Sequence, residues 1–134
     1  MPDRNTEIVR RIIDRTNDGR LDEALRDVAP DATLDWSSSE GPDGGIYRGQ
    51  EGWREWISGR SLDLVDARFD VVELLDAPPD SVVLVAYMRG RGRLSGLEIE
   101  ALGAAVWTLA GGRVTGLKMH QTRDEAVRAA GLLP

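Results

Sequence analysis

The strongest constraint on the fold is a Gly-Gly pair that separates two long strand-like segments near the end of the chain. The segments from Leu97 to Ala110 and from Arg113 to Gln121 flank Gly111 and Gly112. A two-residue loop of this composition accepts the positive φ angles of the primed turns that join antiparallel strands. The sequence therefore predicts a long β-hairpin.

A capped helix is predicted directly after the hairpin. Thr122 precedes Glu125 by the spacing of a capping box. In that motif the threonine hydroxyl accepts a hydrogen bond from the backbone N–H of Glu125, and the glutamate carboxylate reaches back toward the start of the helix. Gly131 stands where a residue in the left-handed conformation commonly ends a helix. The end of the chain is therefore a hairpin followed by a short helix.

Two more strands are predicted before the hairpin, over Arg68 to Leu75 and over Ser81 to Arg91. Turn-forming segments follow them, at Ala77 to Asp80 and at Gly92 to Gly96. Four strands that succeed one another in this way indicate an antiparallel meander. The segment from Val82 to Met88 is apolar on both parities, which is typical of a strand covered on both faces.

The first half of the chain is mostly helical. Apolar residues at helical spacing predict an amphipathic helix over residues 4–17, with Gly19 as its C-cap. A second short helix is predicted from Leu21 to Val28, because Pro30 would end it. A brief strand from Ala32 to Trp36 should follow.

A loop rich in Ser, Gly, Pro and Asp occupies residues 37–47, and its composition is typical of a surface segment or a lid. Helical character resumes from Gly49 to Ser58. This order of elements indicates one α+β domain over residues 1–134. Its helices are expected to cover one face of a curved, mainly antiparallel sheet.

Composition limits the classes of function. The chain has 134 residues, a net charge of −6, one histidine and no cysteine. The negative charge disfavours nucleic acid as a partner, and no apolar segment approaches the roughly 20 residues that span a membrane. With one histidine and no cysteine, we expect no metal and no cofactor. Cytoplasm is the expected location, because nothing in the sequence indicates disulfide bonds or secretion.

Four short motifs in this order carry a family resemblance. They are Ala29-Pro-Asp-Ala-Thr-Leu-Asp35, Tyr47-Arg-Gly-Gln-Glu-Gly-Trp53, Arg89-Gly-Arg-Gly-Arg-Leu-Ser-Gly96 and Val106-Trp-Thr-Leu-Ala-Gly-Gly-Arg-Val114. Together they make the chain resemble the SnoaL-like branch of the nuclear transport factor 2-like superfamily. The resemblance implies a cone-shaped fold and a homodimer formed through the outer sheet face. It leaves function open, because members include ketosteroid isomerases, polyketide cyclases, epoxide hydrolases and non-catalytic binding domains.

Catalytic members of this superfamily imply three acid–base arrangements, and each is incomplete here. The positions that match the tyrosine and the two carboxylates of ketosteroid isomerases are Ile12, Trp36 and Ala105. Asp35 could replace the missing base only if a kink in its strand turns it inward. Met119 stands in place of an aspartate of the epoxide-hydrolase arrangement, and Ala105 stands where many SnoaL-like relatives carry histidine.

Strand parity selects the remaining polar candidates. Val83, Val85, Tyr87 and Arg89 alternate along one strand, and the resemblance places this set inside the cone. A buried arginine needs a partner, and Asp35 is the expected carboxylate. In the functional interpretation, Asp35 takes a proton while Tyr87 or Arg89 stabilises negative charge. In the alternative interpretation, Asp35 and Arg89 lie in water at the mouth of the cone.

The last strand is expected to direct Leu117, Met119 and Gln121 inward and His120 outward. His120 has two interpretations. It could act as a general base, because imidazole titrates near neutral pH, or it could lie on the outer face or in a dimer contact.

Aromatic residues dominate the expected pocket, where they either line a site for a flat apolar molecule or fill the core. The complete set of predicted pocket residues is Trp36, Trp56, Phe69, Val85, Ala105, Trp107, Leu117, Met119 and Gln121.

Three hypotheses about function follow. The first is a homodimer that binds a small apolar or aromatic molecule and catalyses a cyclisation or isomerisation by proton transfer. The second is a non-catalytic ligand-binding or assembly module. The third is an epoxide-hydrolase-like enzyme, in which Arg89 acts beside a rearranged pair of acids.

Overall fold

The protein is built around a curved six-stranded sheet. The structure is a computed structural model and describes residues 4–37, 45–57 and 64–132. The strands are β1 (Val28–Asp35), β2 (Ile46–Arg48), β3 (Leu64–Ala77), β4 (Ser81–Gly92), β5 (Glu98–Ala110) and β6 (Arg113–His120). They lie in the order β2-β1-β6-β5-β4-β3, and every neighbouring pair is antiparallel except β1 and β6. The predicted α+β class and mainly antiparallel sheet are confirmed.

Four α-helices accompany the sheet in the described part of the chain. They are α1 (Arg4–Asn17), α2 (Leu21–Ala24), α3 (Gly49–Ile57) and α4 (Arg123–Ala129). The apolar residues of α1 recur at helical spacing, and this buried stripe faces the concave side of the sheet. Two tryptophans of α3 join the same core. The concave side is therefore roofed by helices, as the sequence predicted.

The hairpin between β5 and β6 forms as predicted. Gly111 and Gly112 both adopt positive φ angles, of 61° and 82°, and Ala110 pairs directly with Arg113. Two successive residues at positive φ define the tight turn that matches the twist of antiparallel strands. The two glycines thus set the register of the pairs next to the turn, and an irregularity between Thr108 and Leu109 shifts the register of the rest of the hairpin by one residue.

Helix α4 covers part of the convex face of the sheet. Its N-cap is built as the sequence indicates, because the Thr122 hydroxyl accepts a hydrogen bond from the Glu125 backbone N–H. Its buried residues Ala126 and Val127 pack with Val83 and Val85 of β4 and with Ala104 of β5 in a second apolar cluster. Strand β4 is consequently covered on both faces, which explains its unbroken apolar sequence.

The structure corrects the predicted end of the second helix. Helix α2 stops at Ala24, a 3₁₀ turn covers Leu25–Asp27, and the chain is extended from Val28 onward. Pro30 therefore lies inside β1, in the stretch where pairing with β6 is interrupted between Val28 and Thr33. Proline lacks a backbone N–H, so a strand accepts it at such an interruption.

Two other predictions concern segments that lie partly outside the described residues. The proposed loop begins at Ser37 and ends in β2, and the segment suggested as a lid lies largely outside the described residues. Ser58, the predicted end of the third helix, also lies outside them. Helix α3 is described as far as Ile57.

A side-chain amide joins α1 to the edge strand β3. Asn17 Nδ2 donates to the carbonyl oxygen of Phe69 at 2.7 Å, and Asn17 Oδ1 accepts from the Phe69 N–H at 2.8 Å. A strand at the edge of a sheet has backbone groups without a neighbouring strand, and unpaired buried groups are costly. Asn17 therefore satisfies both groups at once and ties the helix to the sheet.

We predict that Asn17→Ala lowers the free energy of unfolding by about 1–3 kcal/mol, because two partly buried backbone groups lose their partner. Chemical denaturation monitored by circular dichroism would measure the change. Asn5→Ala, in the first turn of the same helix, is the matched control. An effect of Asn17→Ala no larger than that of Asn5→Ala would contradict the prediction.

Candidate functional site

A cavity of about 100 Å³ lies between the concave face of the sheet and helices α1 and α3. Ala101 and Leu102 of β5 line it and are exposed to solvent, so they mark its mouth. Seven of the nine predicted pocket residues line the cavity, namely Trp36, Trp56, Phe69, Ala105, Trp107, Leu117 and Met119. Their role in ligand binding stays a prediction.

The free volume exists because the sheet carries small side chains beneath it. Ala101, Gly103 and Ala105 alternate along the concave face of β5, and Ala86 is the neighbour of Gly103 on β4. A Cβ atom built on Gly103 would approach the Cε atom of Met119 to 3.5 Å, which is ordinary contact. Larger residues at these positions would occupy the space. The floor of the cavity therefore consists of small side chains, which leave the space next to them free.

Aromatic rings form another part of the lining. Trp56 comes from α3 and Trp36 follows β1, whereas Phe69 and Trp107 come from the sheet itself, from β3 and β5. The rings of Trp56 and Phe69 stack with centroids 5.8 Å apart and an interplanar angle of 22°. Trp36 meets Trp56 edge-on at 6.5 Å, and Trp107 meets the buried Trp53 at 5.8 Å. Offset-stacked and edge-to-face pairs are the favoured aromatic geometries, so these rings hold one another in place. Small aliphatic side chains beside fixed aromatic rings suit a small apolar molecule.

Polar groups are scarce on this wall. Among the described residues that line the cavity, none has a titratable side chain. The hydroxyl of Thr16 donates to the carbonyl oxygen of Ile12 at 2.8 Å, so its proton is already used. The indole nitrogens of Trp56 and Trp107 have no hydrogen-bond partner, and each exposes less than 1 Å². The described wall offers no acid, no base and no charged group.

The positions that carry acid–base residues in ketosteroid isomerases do face this space. Ile12, Trp36 and Ala105 all line the cavity. The resemblance therefore located the right region of the fold, and in this chain that region is occupied by apolar side chains. The pocket is present without the acid–base groups that the resemblance associates with proton transfer.

Tyr87, Arg89 and Val85 do not face the cavity, and the predicted parity of β4 is wrong. Leu84, Ala86 and Met88 line the cavity instead. Val85 belongs to the apolar cluster under α4. Parity could not be assigned from sequence because both faces of the middle of β4 are apolar. The capping box of α4 was the available signal, since a helix after the last strand could cover the outer face.

Arg89 takes part in an ion-pair network on the convex face rather than pairing with Asp35. Its Nε donates to Asp70 at 2.6 Å, and its guanidinium also contacts Glu100. The guanidinium lies 5.0 Å from the centre of the Tyr87 ring, within cation–π range. Hydrogen bonds from Arg89 and Arg68 lower the pKa of Asp70. This network connects three strands, so its evident role is structural.

Asp35 lies outside the cavity lining and binds its own chain. Its Oδ1 accepts from the Ser37 hydroxyl at 2.6 Å and from the Ser37 N–H at 2.9 Å. These two hydrogen bonds lower the pKa of Asp35, and the positive charge of Lys118 acts in the same direction. A lowered pKa weakens a carboxylate as a base near neutral pH. The kink that would turn Asp35 inward is not observed.

His120 and Gln121 lie away from the cavity. His120 is opposite Ala104 of β5, on the convex side of the sheet. Burial lowers the pKa of its imidazole, and Lys118 adds to this effect against the opposing influence of Glu125 and Asp35. Gln121 is exposed and follows the end of β6, so its predicted place in the pocket is wrong. Its backbone N–H donates to the Glu125 carboxylate at 3.0 Å.

No group of three or more histidine, cysteine, aspartate or glutamate residues is arranged to hold a metal ion in residues 4–37, 45–57 and 64–132. No helix in the same ranges is both long and apolar enough to cross a membrane.

We predict that Ser37→Ala destabilises the protein at pH 7 but not in acid. Because the pKa of Asp35 is lowered in the folded state, its stabilising contribution is complete above the ordinary aspartate value of about 3.9. That contribution disappears as the pH falls through the folded value. Thermal melting of the wild type and the variant across this range would measure the difference. Asp35→Asn should abolish the pH dependence of this difference, and a difference that persists in acid would contradict the assignment.

Comparisons with known proteins agree with this fold. Three solved structures of similar fold are Bal32a from a soil-derived mobile gene cassette, TerC co-crystallised with polyporic acid, and SalBIII, described as an epoxide hydrolase/cyclase-like enzyme in pyran ring formation of salinomycin. Their TM-scores are 0.79, 0.74 and 0.74, with 16%, 18% and 17% sequence identity. The alignments cover 92%, 96% and 92% of this chain and 93%, 98% and 96% of those chains, respectively.

No match was found among curated protein sequences. A family model, however, matches most of the chain. It describes the SnoaL-like domain and aligns with residues 9–117, which include most of α1 and most of the cavity lining. The chain belongs to the SnoaL-like domain family, within the nuclear transport factor 2-like superfamily.

Proposed function

We propose that this domain binds a small, flat, apolar molecule in its cone and does not use the described cavity wall for acid–base catalysis. The observation that carries the proposal is the composition of that wall, which combines fixed aromatic rings with small aliphatic residues and has no titratable group. Concave apolar sites of this kind are the usual binding sites for small molecules. The similar protein TerC was co-crystallised with polyporic acid, which is consistent with an organic ligand.

Proton transfer is the weaker interpretation of the same site. It requires a base within hydrogen-bonding reach of the substrate, and Asp35 is held by Ser37 outside the cavity. Tyr87 and Arg89, the expected stabilisers of negative charge, belong to the convex network. The epoxide-hydrolase hypothesis loses its support for the same reason, because Arg89 has no place beside Met119. Binding without proton transfer by these residues is therefore favoured.

The expected homodimer remains a proposal. The family resemblance assigns the contact to the outer sheet face, and α4 covers part of that face in this chain. Sedimentation equilibrium would give the molecular mass in solution. A mass of one chain at micromolar concentration would remove the homodimer proposal without affecting the cavity.

A larger side chain that fills the cavity should reduce ligand binding without lowering the stability of the protein. Ala105→Leu places a larger side chain on the floor, so we expect loss of ligand binding by at least about tenfold with stability unchanged or raised. Toluene is a suitable small, flat, apolar probe: an apolar cavity of roughly 150 Å³ binds benzene, and the opening beside Ala101 and Leu102 leaves room for part of a guest beyond the 100 Å³ inside.

Isothermal titration with toluene would measure affinity, and thermal melting would measure stability. Ala86→Leu is an independent variant of the same floor, and Ala110→Leu is the matched control because Ala110 is an exposed residue of the same strand. Binding that survives both filling variants in folded protein would show that toluene lies elsewhere. Absence of binding to the wild type would refute the cavity as a site for small apolar guests.

The polar residues that the sequence suggests as catalytic should not contribute to binding in the cavity. Asp35→Asn and His120→Gln should leave the affinity for toluene unchanged, because neither side chain lines the cavity. The same titration would measure both variants. A tenfold loss of affinity in either folded variant would place that residue in the binding site and revive the proton-transfer interpretation.

A further inference from the structure

Two indole N–H groups at the cavity lack acceptors, yet neither is accessible from inside the cavity. Trp56 and Trp107 are 7% and 2% exposed, and both carry an indole N–H without an acceptor. An unsatisfied buried donor ordinarily invites a ligand that brings an acceptor. Yet less than 1 Å² of each indole nitrogen is exposed, so a guest in the cavity meets ring carbons rather than N–H groups.

The other polar atoms near the cavity are also engaged. The Thr16 hydroxyl donates to the Ile12 carbonyl oxygen, so its proton cannot be given to a ligand. Trp36 is half-buried and meets Trp56 edge-on. Arg89 and Lys118, which could donate, lie on the other side of the sheet. Trp56, Trp107 and Thr16 therefore present no available hydrogen-bond donor to a molecule inside the cavity.

Building on the proposed function, we infer that the site selects guests whose buried part is pure hydrocarbon and discriminates against hydrogen-bond acceptors such as a ketone, ether or ring nitrogen. An acceptor loses its water on entry and finds no donor in exchange on Trp56, Trp107 or Thr16. A polar group on the ligand is accommodated only at the mouth, beside the exposed Ala101 and Leu102. The ligand class is thus an aromatic or alicyclic hydrocarbon, or a molecule that inserts a hydrocarbon end.

Toluene and 4-methylpyridine provide a test because they have nearly the same shape and differ by one acceptor nitrogen. Their affinities for the wild type are measured by isothermal titration at a pH where the base is neutral. The ratio of the two dissociation constants is then compared with the ratio of the two partition coefficients between water and octanol. Octanol can donate hydrogen bonds, whereas cyclohexane cannot.

We expect the ratio of dissociation constants to exceed the ratio of water–octanol partition coefficients and to approach the ratio for cyclohexane. A ratio equal to or below the octanol value would overturn the inference, because it would show that a donor, such as an indole N–H, reaches the guest. Toluene binding with weak discrimination would refute this inference alone. Failure of toluene itself to bind would instead refute the proposed function.

A gain-of-donor variant makes the test independent of partition data. Ala105→Ser adds one hydroxyl to the cavity floor, and Ala86→Ser does the same on the neighbouring strand. We expect either substitution to improve the affinity for 4-methylpyridine relative to toluene by several-fold. An unchanged ratio in both folded variants would show that missing donors do not set the selectivity, and the inference would fail.

Discussion

Strand β4 has two apolar faces, and burying both of them organises the rest of the molecule. Successive side chains of a strand point to opposite faces, so such a strand needs a packed layer on each side. On the concave side, Leu84 and Ala86 face the helical roof, and on the convex side Val83 and Val85 lie under α4. The helix after the hairpin therefore completes the core, and Arg89, further along β4, is left among charged neighbours.

The cavity follows from how the concave layer is packed. The aromatic rings are fixed by one another, so they cannot collapse onto the floor formed by Ala86, Gly103 and Ala105. The side chains that line this space forgo packing contacts, which is a cost to a domain whose stability is only about 5–15 kcal/mol. A single alanine-to-leucine change could reduce that cost. Retaining the space is reasonable where a guest molecule occupies it and recovers the lost contacts.

The elements were predictable from sequence where local chemistry decides them. The first helix begins and ends at the predicted residues 4 and 17, and the turn at Gly111 and Gly112 has the predicted positive φ angles. The aromatic residues predicted for the pocket do line the cavity, because large apolar residues in a cone-shaped fold have few other places to lie. Failures occurred where tertiary packing decides. Parity along β4 depends on whether a distant helix covers the convex face, and the partner of Arg89 depends on the register of β3 and β5.

Catalysis and binding make different demands on a wall of this kind. Rate acceleration requires interactions that are stronger in the transition state than in the bound substrate, and in proton transfer these are interactions with developing charge. Dispersion contacts from Trp56, Phe69 and Trp107 hold a neutral guest and its transition state about equally. Such a wall contributes affinity, exclusion of water and positioning of a guest. The absence of titratable groups from the described lining, which weakens the case for an acid–base enzyme, is thus the same property on which the proposed selectivity for hydrocarbon rests.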